Sequence, residues 1–499
     1  MRPAASRPRA QAPRPAWRDV PARLMLPRLV LLLACGGLFA FGCVMVFSAS
    51  SATAALGGDA GPSLAGIGDL ALKQLAFGAV GIAAAAGIVH VGYRWFARNA
   101  LRIFWVLCVA TLVMVFLPVI GRRAYGAARW LNIPLLSFQP SEFAKVVIML
   151  CAASIFSRRY QEGDTDDRGM LVELALGVVV PLVLILVEPD KGTTGVIALS
   201  LLVMGYVAGV PRGVILAIVA VAAVGLAILV VSDGYAWQRV LTVLNPESDP
   251  IGDGYQLTQS FYAFGSGGVT GVGLGMSRQK YAYLPMAYND FILAVVGEEC
   301  GLVGVLAVLL AFLAIAFAGL RVAMDAPDLL GRCLATGCTT LLVVQFFLNA
   351  LGVTGGMPLS GKTVPFLSAG GTSVFFSFVL VGAIYSVSRA SSLPETAHDR
   401  ARRRLRVQDG ATSGSPDVGE PVARGSRAAA PGRAGLTMIE GGPPRRPVPG
   451  PRPAGAQGHR DRPEARVSVD ADGRRRIDLG PSASDRLRGR GGSGPTVRR

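Results

Sequence analysis

The chain has 499 residues, of which 52% are hydrophobic and 16% are charged. Its apolar runs reach the roughly 20 residues that cross the hydrocarbon core of a bilayer, so the composition excludes a soluble globular domain and indicates an all-α, polytopic membrane protein. The net charge of +17 gathers in the two tails, where it favours contact with a membrane surface or a protein over binding of nucleic acid.

Both tails are predicted to be disordered and cytoplasmic. Residues 1–23 are rich in Pro, Arg and Ala and show no periodicity. Residues 390–499 form a longer basic tail of similar composition. Its patch at residues 466–479 is either a partner-binding motif or, in the interpretation that we favour, a solvated linker.

Between the tails, the apolar runs predict about ten transmembrane helices. Their approximate bounds are 24–47, 70–91, 99–119, 142–157, 170–188, 193–210, 213–232, 288–319, 329–352 and 364–388. Arginines at alternate ends of these spans place both termini in the cytoplasm, with a large extracytoplasmic loop, residues 233–287, between spans 7 and 8. Arg122, Arg123 and Arg129 lie on the predicted outer side, where basic residues are candidate ligands for an anion.

The positions of the cysteines and histidines indicate no metal site, disulfide framework or catalytic histidine at the outer face. The seven cysteines lie in or beside apolar runs without CxxC spacing, which indicates neither a zinc site nor a disulfide framework. His90 ends a span on the predicted cytoplasmic side, and His398 and His459 lie in the tail. Acid–base chemistry at the outer face therefore falls to carboxylates, Lys and Tyr.

The fourth predicted span begins with QPSEFAK, from Gln139 to Lys145. Pro140 suits the first turn of a helix, and Glu142 and Lys145 share one face of it because they are three residues apart. Charged side chains that enter a membrane pair with each other or line a cavity. A structural ion pair and a functional site are both open alternatives.

The motif EPDKGTT, residues 188–194, concentrates charge in a tight outer turn between two spans. Pro189 and Gly192 interrupt the helix, and such breaks expose backbone groups that can face a cavity. Taken alone, this motif is better explained by a plain polar hairpin.

A polar, glycine-rich stretch runs from Asn245 to Gly301. Its glycines allow the backbone to approach a ligand, and amides exposed in this way suit a pyrophosphate; loop flexibility is the alternative. The spacing of a nucleotide-binding lysine motif is absent from it. Side chains that offer contacts to sugars and phosphates are Gln256, Gln259, Ser260, Gln279 and Lys280.

Asp290 lies at the lip of the eighth span, with Glu298 and Glu299 further along it. An ionisable group at a membrane boundary is costly and is a candidate functional residue. Partial burial raises the pKa of a carboxyl group, which can then act as a base towards a sugar hydroxyl. The alternative is a carboxylate that caps the start of the helix.

The last span opens with GKTVPFLSAGGTS, residues 361–373. Pro365, Gly370 and Gly371 predict an irregular helix, which a membrane tolerates only against a cavity or neighbouring protein.

These motifs, in this order, resemble the SEDS family of bacterial cell-wall proteins, typified by FtsW, RodA and SpoVE. The likeness covers roughly residues 24–389 and includes RWLN, QPSEFAK, EPDKGTT, GYQLTQS, GSGGVTGVGLG, GEECGLVG and PFLSAGGTS. It implies a glycosyltransferase that polymerises lipid II at the outer face of the cytoplasmic membrane. Such an enzyme forms a β-1,4 bond and releases undecaprenyl pyrophosphate.

The resemblance also implies roles for individual residues. Asp290 would be the catalytic general base, and Arg129, Lys145 and Lys191 would bind the departing pyrophosphate, with Glu142 paired to Lys145. No cofactor follows with certainty, and a divalent cation, Mg²⁺ or Mn²⁺, is compatible. Further candidate substrate-binding residues are Gln139, Asp190, Gln256, Gln259, Ser260, Lys280, Lys362 and Ser368.

The chain departs from the family at two positions: Tyr288–Asn289 replaces the usual His–Thr before the aspartate, and Ala369 replaces a Tyr. The GEE triplet at residues 297–299 and the long tail resemble the division type, FtsW, more than the elongation type, RodA.

The implied partners are a class B penicillin-binding transpeptidase and other division proteins of the septal membrane. A flippase for lipid-linked precursor and a division scaffold are the rival functions.

Overall fold

The computed structural model describes residues 22–55, 69–117, 121–124, 127–133, 136–161, 167–232, 234–246, 252–285, 287–391, 466–469 and 475–478. Twelve helical elements, α1 to α12, cover most of this part of the chain. In order they are Ala22–Ala55, Asp69–Val91, Tyr93–Met114, Pro140–Tyr160, Asp167–Val187, Lys191–Ala208, Arg212–Ser232, Gly234–Leu244, Asp253–Gly267, Ile292–Met324, Leu329–Val353 and Gly371–Ala390. Helices α3 and α5 each contain one π-helical turn, at Phe96–Ala100 and Ala175–Val179.

Nine of the described helices are long and apolar enough to span a membrane, and α7 contributes a shorter apolar stretch, Arg212–Gly225. The all-α, multi-span prediction is therefore confirmed, while several boundaries move. The eighth span begins at Ile292 rather than near 288, and the last begins at Gly371 rather than near 364. The residues between Gly361 and Gly370 form turns that precede α12, so the predicted irregular helix there is wrong.

A small sheet between α3 and α4 was not predicted. Its strands β1 (Gly121–Ala124), β2 (Ala127–Ile133) and β3 (Leu136–Phe138) pair antiparallel in sequence order. Arg122 and Arg123 lie on β1, and Arg129 lies on β2. The strands have only four, seven and three residues, so the sequence offers no sustained alternation of apolar and polar residues to mark them.

The tail is a separate unit, in which the described residues are β4 (Arg466–Val469) and β5 (Arg475–Asp478). These strands pair antiparallel, and they coincide with the patch that the sequence singled out. The rest of the two predicted disordered tails lies outside the described residues, apart from the first residues of α1 and the end of α12.

Helix α11 lies at the centre of the bundle, where it packs against α4, α6, α10 and α12. Helices α4, α11 and α12 bury most of their residues, whereas α2, α3 and α5 leave most of theirs exposed. Since the exposed side chains of α2, α3 and α5 are mostly apolar, these helices are suited to contact with lipid. Polar groups that face α11 are therefore shielded from the hydrocarbon.

Helix α10 is broken at Gly301, whose φ of 64° and ψ of −163° are not helical. The backbone groups released by this break bind the loop that follows α9. Val272 N donates to Glu298 O at 2.9 Å, and Leu302 N donates to Gly268 O at 3.0 Å. A broken helix is tolerated in a membrane protein when neighbouring protein satisfies its backbone in this way.

The glycines of this loop lie against protein. A Cβ atom on Gly271 would fall 2.2 Å from Glu299 O, and one on Gly267 would fall 1.9 Å from Gly297 O. The prediction that these glycines admit a ligand is therefore wrong for Gly267 and Gly271, because both are needed for close contact with α10.

Candidate functional site

Asp290 lies in the turn before α10, and the residue is partly exposed. Among the described residues, no group donates a hydrogen bond to its carboxylate. The N-cap of α10 is Phe291, without a side-chain cap, so the alternative that Asp290 caps this helix is wrong. A Cβ atom on Gly361 would lie 3.6 Å from Asp290 Oδ2, which places the carboxylate beside the backbone of the 361–370 segment.

The electrostatics of Asp290 suit a base. Burial raises the pKa of its carboxyl group above the usual value, and the positive charges of Lys362 and Arg129 oppose that rise. An accessible carboxylate with a raised pKa, without a donor among the described groups, is able to accept a proton from a bound hydroxyl.

Asn349 of α11 fixes the backbone on both sides of this carboxylate. Its buried amide Nδ2 donates to Asp290 O at 2.7 Å and to Lys362 O at 2.6 Å. A further backbone bond, from Ala369 N to Tyr288 O at 2.9 Å, ties the same two segments together. The position of the Asp290 turn is therefore set by the core of the bundle.

Asp190 and Lys362 form a buried ion pair at the base of the site. Asp190 caps α6 by accepting from Thr193 N at 3.1 Å, and it also accepts from the hydroxyls of Thr193 and Ser141, at 2.8 and 3.2 Å. Lys362 Nζ donates to Thr193 Oγ1 at 2.6 Å. Burial alone would raise the pKa of Asp190, but Lys362, Arg129 and these hydrogen bonds outweigh it and lower the pKa to about 2. The charges of Asp190 and Lys362 therefore neutralise each other.

The predicted pair of Glu142 and Lys145 is confirmed. Lys145 Nζ lies 2.8 Å from Glu142 Oε2, and both side chains are only 4% exposed. Lys145 also donates to Gln345 Oε1 at 2.7 Å, and Gln345 Nε2 donates to Thr363 O at 2.9 Å. Through Gln345, this buried pair is linked to the backbone of the 361–370 segment.

Arg129 projects from β2 onto the turn between α5 and α6. Its guanidinium donates to Pro189 O at 2.6 Å and, at 3.4 Å, to Glu188 O. Both acceptors are neutral carbonyls, and Arg129 has no ion pair with a carboxylate among the described residues. Arg129 is only partly buried, and its positive charge acts on the carboxyl group of Asp290.

Gln139 and Asp190 also meet at this site, with Gln139 Nε2 lying 3.5 Å from Asp190 Oδ2. Lys191 is exposed at the first position of α6. Ser368 lies within the 361–370 segment, where its buried hydroxyl accepts from Val364 N at 2.8 Å. Seven predicted residues, together with Arg129 and Asp290, therefore gather on α4, α6 and the 361–370 segment: Gln139, Glu142, Lys145, Asp190, Lys191, Lys362 and Ser368.

The structure does not bring the remaining predicted residues into this cluster. Lys280 is buried against α10, where its amine binds Glu299 Oε1 and Ser48 Oγ at 3.0 and 2.9 Å. Ser260 is buried on α9 and donates to Val353 O at 2.8 Å. Gln256 and Gln259 are partly buried on the same helix.

Asn349, Gln345 and Thr193 are the residues that sequence reasoning missed. Gln345 and Asn349 are four residues apart on α11, so they lie on one face of it. Two amides at this spacing within an apolar run were the available signal, because a buried polar side chain in a membrane helix needs a partner.

Among the described residues, neither a metal site nor the cavity beside α1 coincides with Asp290. Within the described ranges, no group of three or more His, Cys, Asp or Glu residues is arranged to hold a metal ion. A cavity of about 580 Å³ lies between α1, α10 and the loop at residues 270–274, and Glu299 is its one carboxylate. Apart from Glu299 and Thr270 its lining is apolar, and none of the clustered residues lines it, so this cavity does not extend the polar cluster.

A family model described as "Cell cycle protein", covering FtsW, RodA and SpoVE, matches residues 28–393. "Stage V sporulation protein E" of Bacillus subtilis (strain 168) is 37% identical over 368 residues, which cover 73% of this chain and 98% of the relative. "Probable peptidoglycan glycosyltransferase FtsW" of Mycobacterium tuberculosis is 34% identical over 408 residues, covering 81% of this chain and 76% of the relative.

Two solved structures share the architecture. One carries the description "Structural coordination of polymerization and crosslinking by a peptidoglycan synthase complex". It aligns with a TM-score of 0.57 and 26% identity, over 72% of this chain and 96% of that one. The rod shape determining protein RodA of Thermus thermophilus aligns with a TM-score of 0.52 and 24% identity, over 76% and 100% of the two chains. This second match supports the fold alone.

Proposed function

Because the chain belongs to the FtsW, RodA and SpoVE family of cell cycle proteins, we propose that it is a peptidoglycan glycosyltransferase of the division type. It would polymerise lipid II into glycan strands at the outer face of the cytoplasmic membrane. The observation that carries this proposal is the accessible carboxylate of Asp290, which lies beside Gly361 and under the influence of two cations.

In the proposed reaction Asp290 is the general base. Its carboxylate takes the proton of the acceptor sugar's 4-hydroxyl group as that oxygen attacks the anomeric carbon of the donor. The new C–O bond forms as the bond to the pyrophosphate breaks, with inversion at that carbon. Base catalysis of this kind requires the acceptor oxygen within hydrogen-bond reach of the carboxylate.

Arg129 is the cation best suited to the leaving pyrophosphate. Lys145 and Lys362 are each neutralised by a buried carboxylate, whereas Arg129 contacts only carbonyl oxygens among the described acceptors. Positive charge placed where negative charge develops lowers the barrier to bond cleavage. Lys191, exposed at the start of α6, is the second candidate.

A divalent cation could bind between the carboxylate of Asp290 and the pyrophosphate of the substrate. Mg²⁺ in phosphate-transfer sites commonly uses one or two carboxylates together with phosphate oxygens of the substrate. Asp290 offers one such carboxylate, and a bound ion would supply charge stabilisation for the pyrophosphate. The protein residues would still bind, orient and deprotonate the acceptor.

The transpeptidase activity would come from a partner. One structural relative is described as a complex that coordinates polymerization and crosslinking, which supports a crosslinking partner, and we propose that this partner is a class B penicillin-binding protein. We place this chain in the cytoplasmic membrane at the septum, with both termini inside, in the company of other division proteins.

The test is polymerisation of labelled lipid II by the purified chain with its transpeptidase partner, read as glycan ladders on a gel. Asp290→Asn keeps the shape of the side chain and removes the base, so ladder formation should fall at least about 100-fold. Asp69→Asn is the matched control, since Asp69 is an exposed helix-start aspartate that pairs only with Lys73 among the described residues.

Binding of lipid II by each variant separates the rival functions. Ladders lost with binding retained support catalysis by Asp290, and unchanged ladders contradict it. A flippase predicts that Asp290→Asn alters translocation of lipid II in proteoliposomes without any ladder in the wild type. A scaffold predicts that deletion of residues 392–499, and not Asp290→Asn, abolishes function in cells.

A further inference from the structure

Glu188 is a buried carboxyl group that the mechanism above does not use. It follows the last residue of α5, its exposed fraction is 0%, and neither Oε1 nor Oε2 has a hydrogen-bond partner among the described groups. A charged carboxylate in such surroundings would be very unfavourable, because it would have lost its water and gained no donor. The geometry therefore favours the protonated, neutral form.

Three charged groups act on Glu188: Arg129 on β2, Asp190 at the start of α6 and Lys362 in the 361–370 segment. The neutral thiol of Cys108 on α3 also lies close enough to interact with it. Asp190 and Lys362 are paired with each other. Arg129 is left as the cation next to Glu188 whose charge no described carboxylate neutralises.

Arg129 contacts the backbone of Glu188 and not its carboxyl group. The guanidinium donates to the carbonyl oxygens of Glu188 and Pro189, so it binds the backbone of the turn between α5 and α6. With Glu188 neutral, Arg129 holds the turn without a neighbouring negative charge that would offset its own. An ionised Glu188 would place a negative charge beside that cation.

We propose that Glu188 is a positioning residue that is held protonated, so that Arg129 remains available as the cationic partner of the substrate's diphosphate. This inference rests on the proposed function for its choice of ligand. Loss of the proton would lower the affinity of the site for the diphosphate while the carboxylate of Asp290 stays in place.

The protonation behaviour of Glu188 sets the pH at which this effect appears. Burial and the neighbouring charge of Asp190 raise the pKa of Glu188 to about 8, against the opposing charges of Arg129 and Lys362. The site should therefore retain its diphosphate affinity through neutral pH and lose it as the pH rises past about 8.

The experiment compares wild type with Glu188→Gln and Glu188→Leu, both permanently neutral, in the full chain with its partner. The KM for lipid II should rise several-fold between pH 7 and pH 9 in the wild type and stay nearly flat in both variants. Glu173→Gln is the matched control, since Glu173 is an exposed glutamate of the same helix that pairs with Arg158, and it should follow the wild type.

Two further readouts do not require turnover. Infrared difference spectra of chain labelled with ¹³C-glutamate should contain a protonated-carboxyl band at pH 7 that disappears through pH 8 and is absent from Glu188→Gln. Binding of inorganic pyrophosphate, measured at pH 7 and pH 9, should weaken with pH in the wild type relative to both variants. If ladders never form but these two signals appear, the inference about Glu188 stands and the proposed function fails.

The inference is overturned if both neutral variants lose activity at every pH while remaining folded, or if the wild type lacks the carboxyl band at pH 7. It is also overturned if the KM of Glu188→Gln rises with pH as steeply as that of the wild type.

Discussion

Lys362 and Asp190 form a buried ion pair that joins the segment before α12 to the turn before α6. The pair brings two distant motifs of the sequence together beneath Asp290. Because the two charges neutralise each other, the pair has a structural role, and Arg129 is the cation that would bind the substrate's diphosphate. The energetics of this pair are the first property to measure.

Lys362→Met should destabilise the protein by about 3–5 kcal/mol, because it leaves the carboxylate of Asp190 buried without its cation. The double variant Asp190→Asn with Lys362→Met should be less destabilised than the sum of the two single variants. Thermal unfolding of the purified chain in detergent measures both. Glu173→Gln, which breaks an exposed pair, should cost at most about 1 kcal/mol; equal effects at the two pairs would contradict this account.

The same pair predicts a loss of stability in acid. The pKa of Asp190 is lowered from 3.8 to about 2 in the folded protein, so the folded state binds its proton more weakly than the unfolded state does. The corresponding stabilisation is fully present above about pH 4 and is lost as the pH falls towards 2. Unfolding temperatures between pH 5 and pH 2 should fall more steeply for the wild type than for Asp190→Asn.

Glu188 predicts the opposite trend at higher pH. Its pKa is raised from 4.5 to about 8, so the folded state binds this proton more tightly than the unfolded state. The stability that results is fully present below about pH 4.5 and is lost as the pH rises to 8, at a cost on the order of 4 kcal/mol over that window. Glu188→Gln should therefore have little effect on the unfolding temperature at pH 5 and raise it at pH 8. A variant that is less stable than the wild type at pH 8 would argue for an ionised Glu188.

Asn349→Leu should slow polymerisation by about 10- to 100-fold through displacement of the Asp290 turn. The effect should appear in kcat with a small change in KM, since the amide binds backbone groups and is itself buried. Thr340→Val on the same helix is the control, because Thr340 bonds only the carbonyl of Thr336 one turn earlier among the described groups. Loss of lipid II binding in Asn349→Leu with unchanged kcat would contradict the assigned role.

Gly271→Ala should be strongly destabilising. The residue has a φ of +83° and a Cβ would meet Glu299 O at 2.2 Å, so both strain and overlap oppose the change, at a cost of at least about 2 kcal/mol. Gly87→Ala on α2, where a Cβ meets nothing within 4 Å, should be neutral or slightly stabilising. Equal unfolding temperatures for the two variants would show that the loop does not bind α10 as described.

Sequence reasoning succeeded where the signal was local or carried by a complete motif. The spans follow from apolar runs, and the pair of Glu142 and Lys145 follows from a spacing of three residues. The position of Asp290 at a span boundary also follows from the apolar pattern, while its catalytic role stays a prediction. The pairing of Lys362 with Asp190 could not be predicted, because it depends on how α6 and the 361–370 segment meet in the folded bundle.

The glycine-rich loop shows the same limit. A positive φ and close backbone contact are both plausible reasons for a glycine, and the sequence does not reveal whether the contact is a ligand or a helix. Lys280 was selected as a ligand for substrate, yet its amine is 3.0 Å from Glu299 Oε1 inside the protein. Whether the loop contacts a ligand or a helix depends on the break of α10 at Gly301. The apolar pattern of the sequence does not reveal this break, because the residues on both sides of it are helical.

The hydrogen bonds between the loop at residues 268–273 and the broken part of α10 have a practical consequence for labelling. An epitope tag or fluorescent reporter inserted between Gly268 and Gly273 would remove the donors and acceptors that complete a transmembrane helix. Although the loop is polar and looks like a permissive insertion point, such a fusion would report on a misassembled membrane domain.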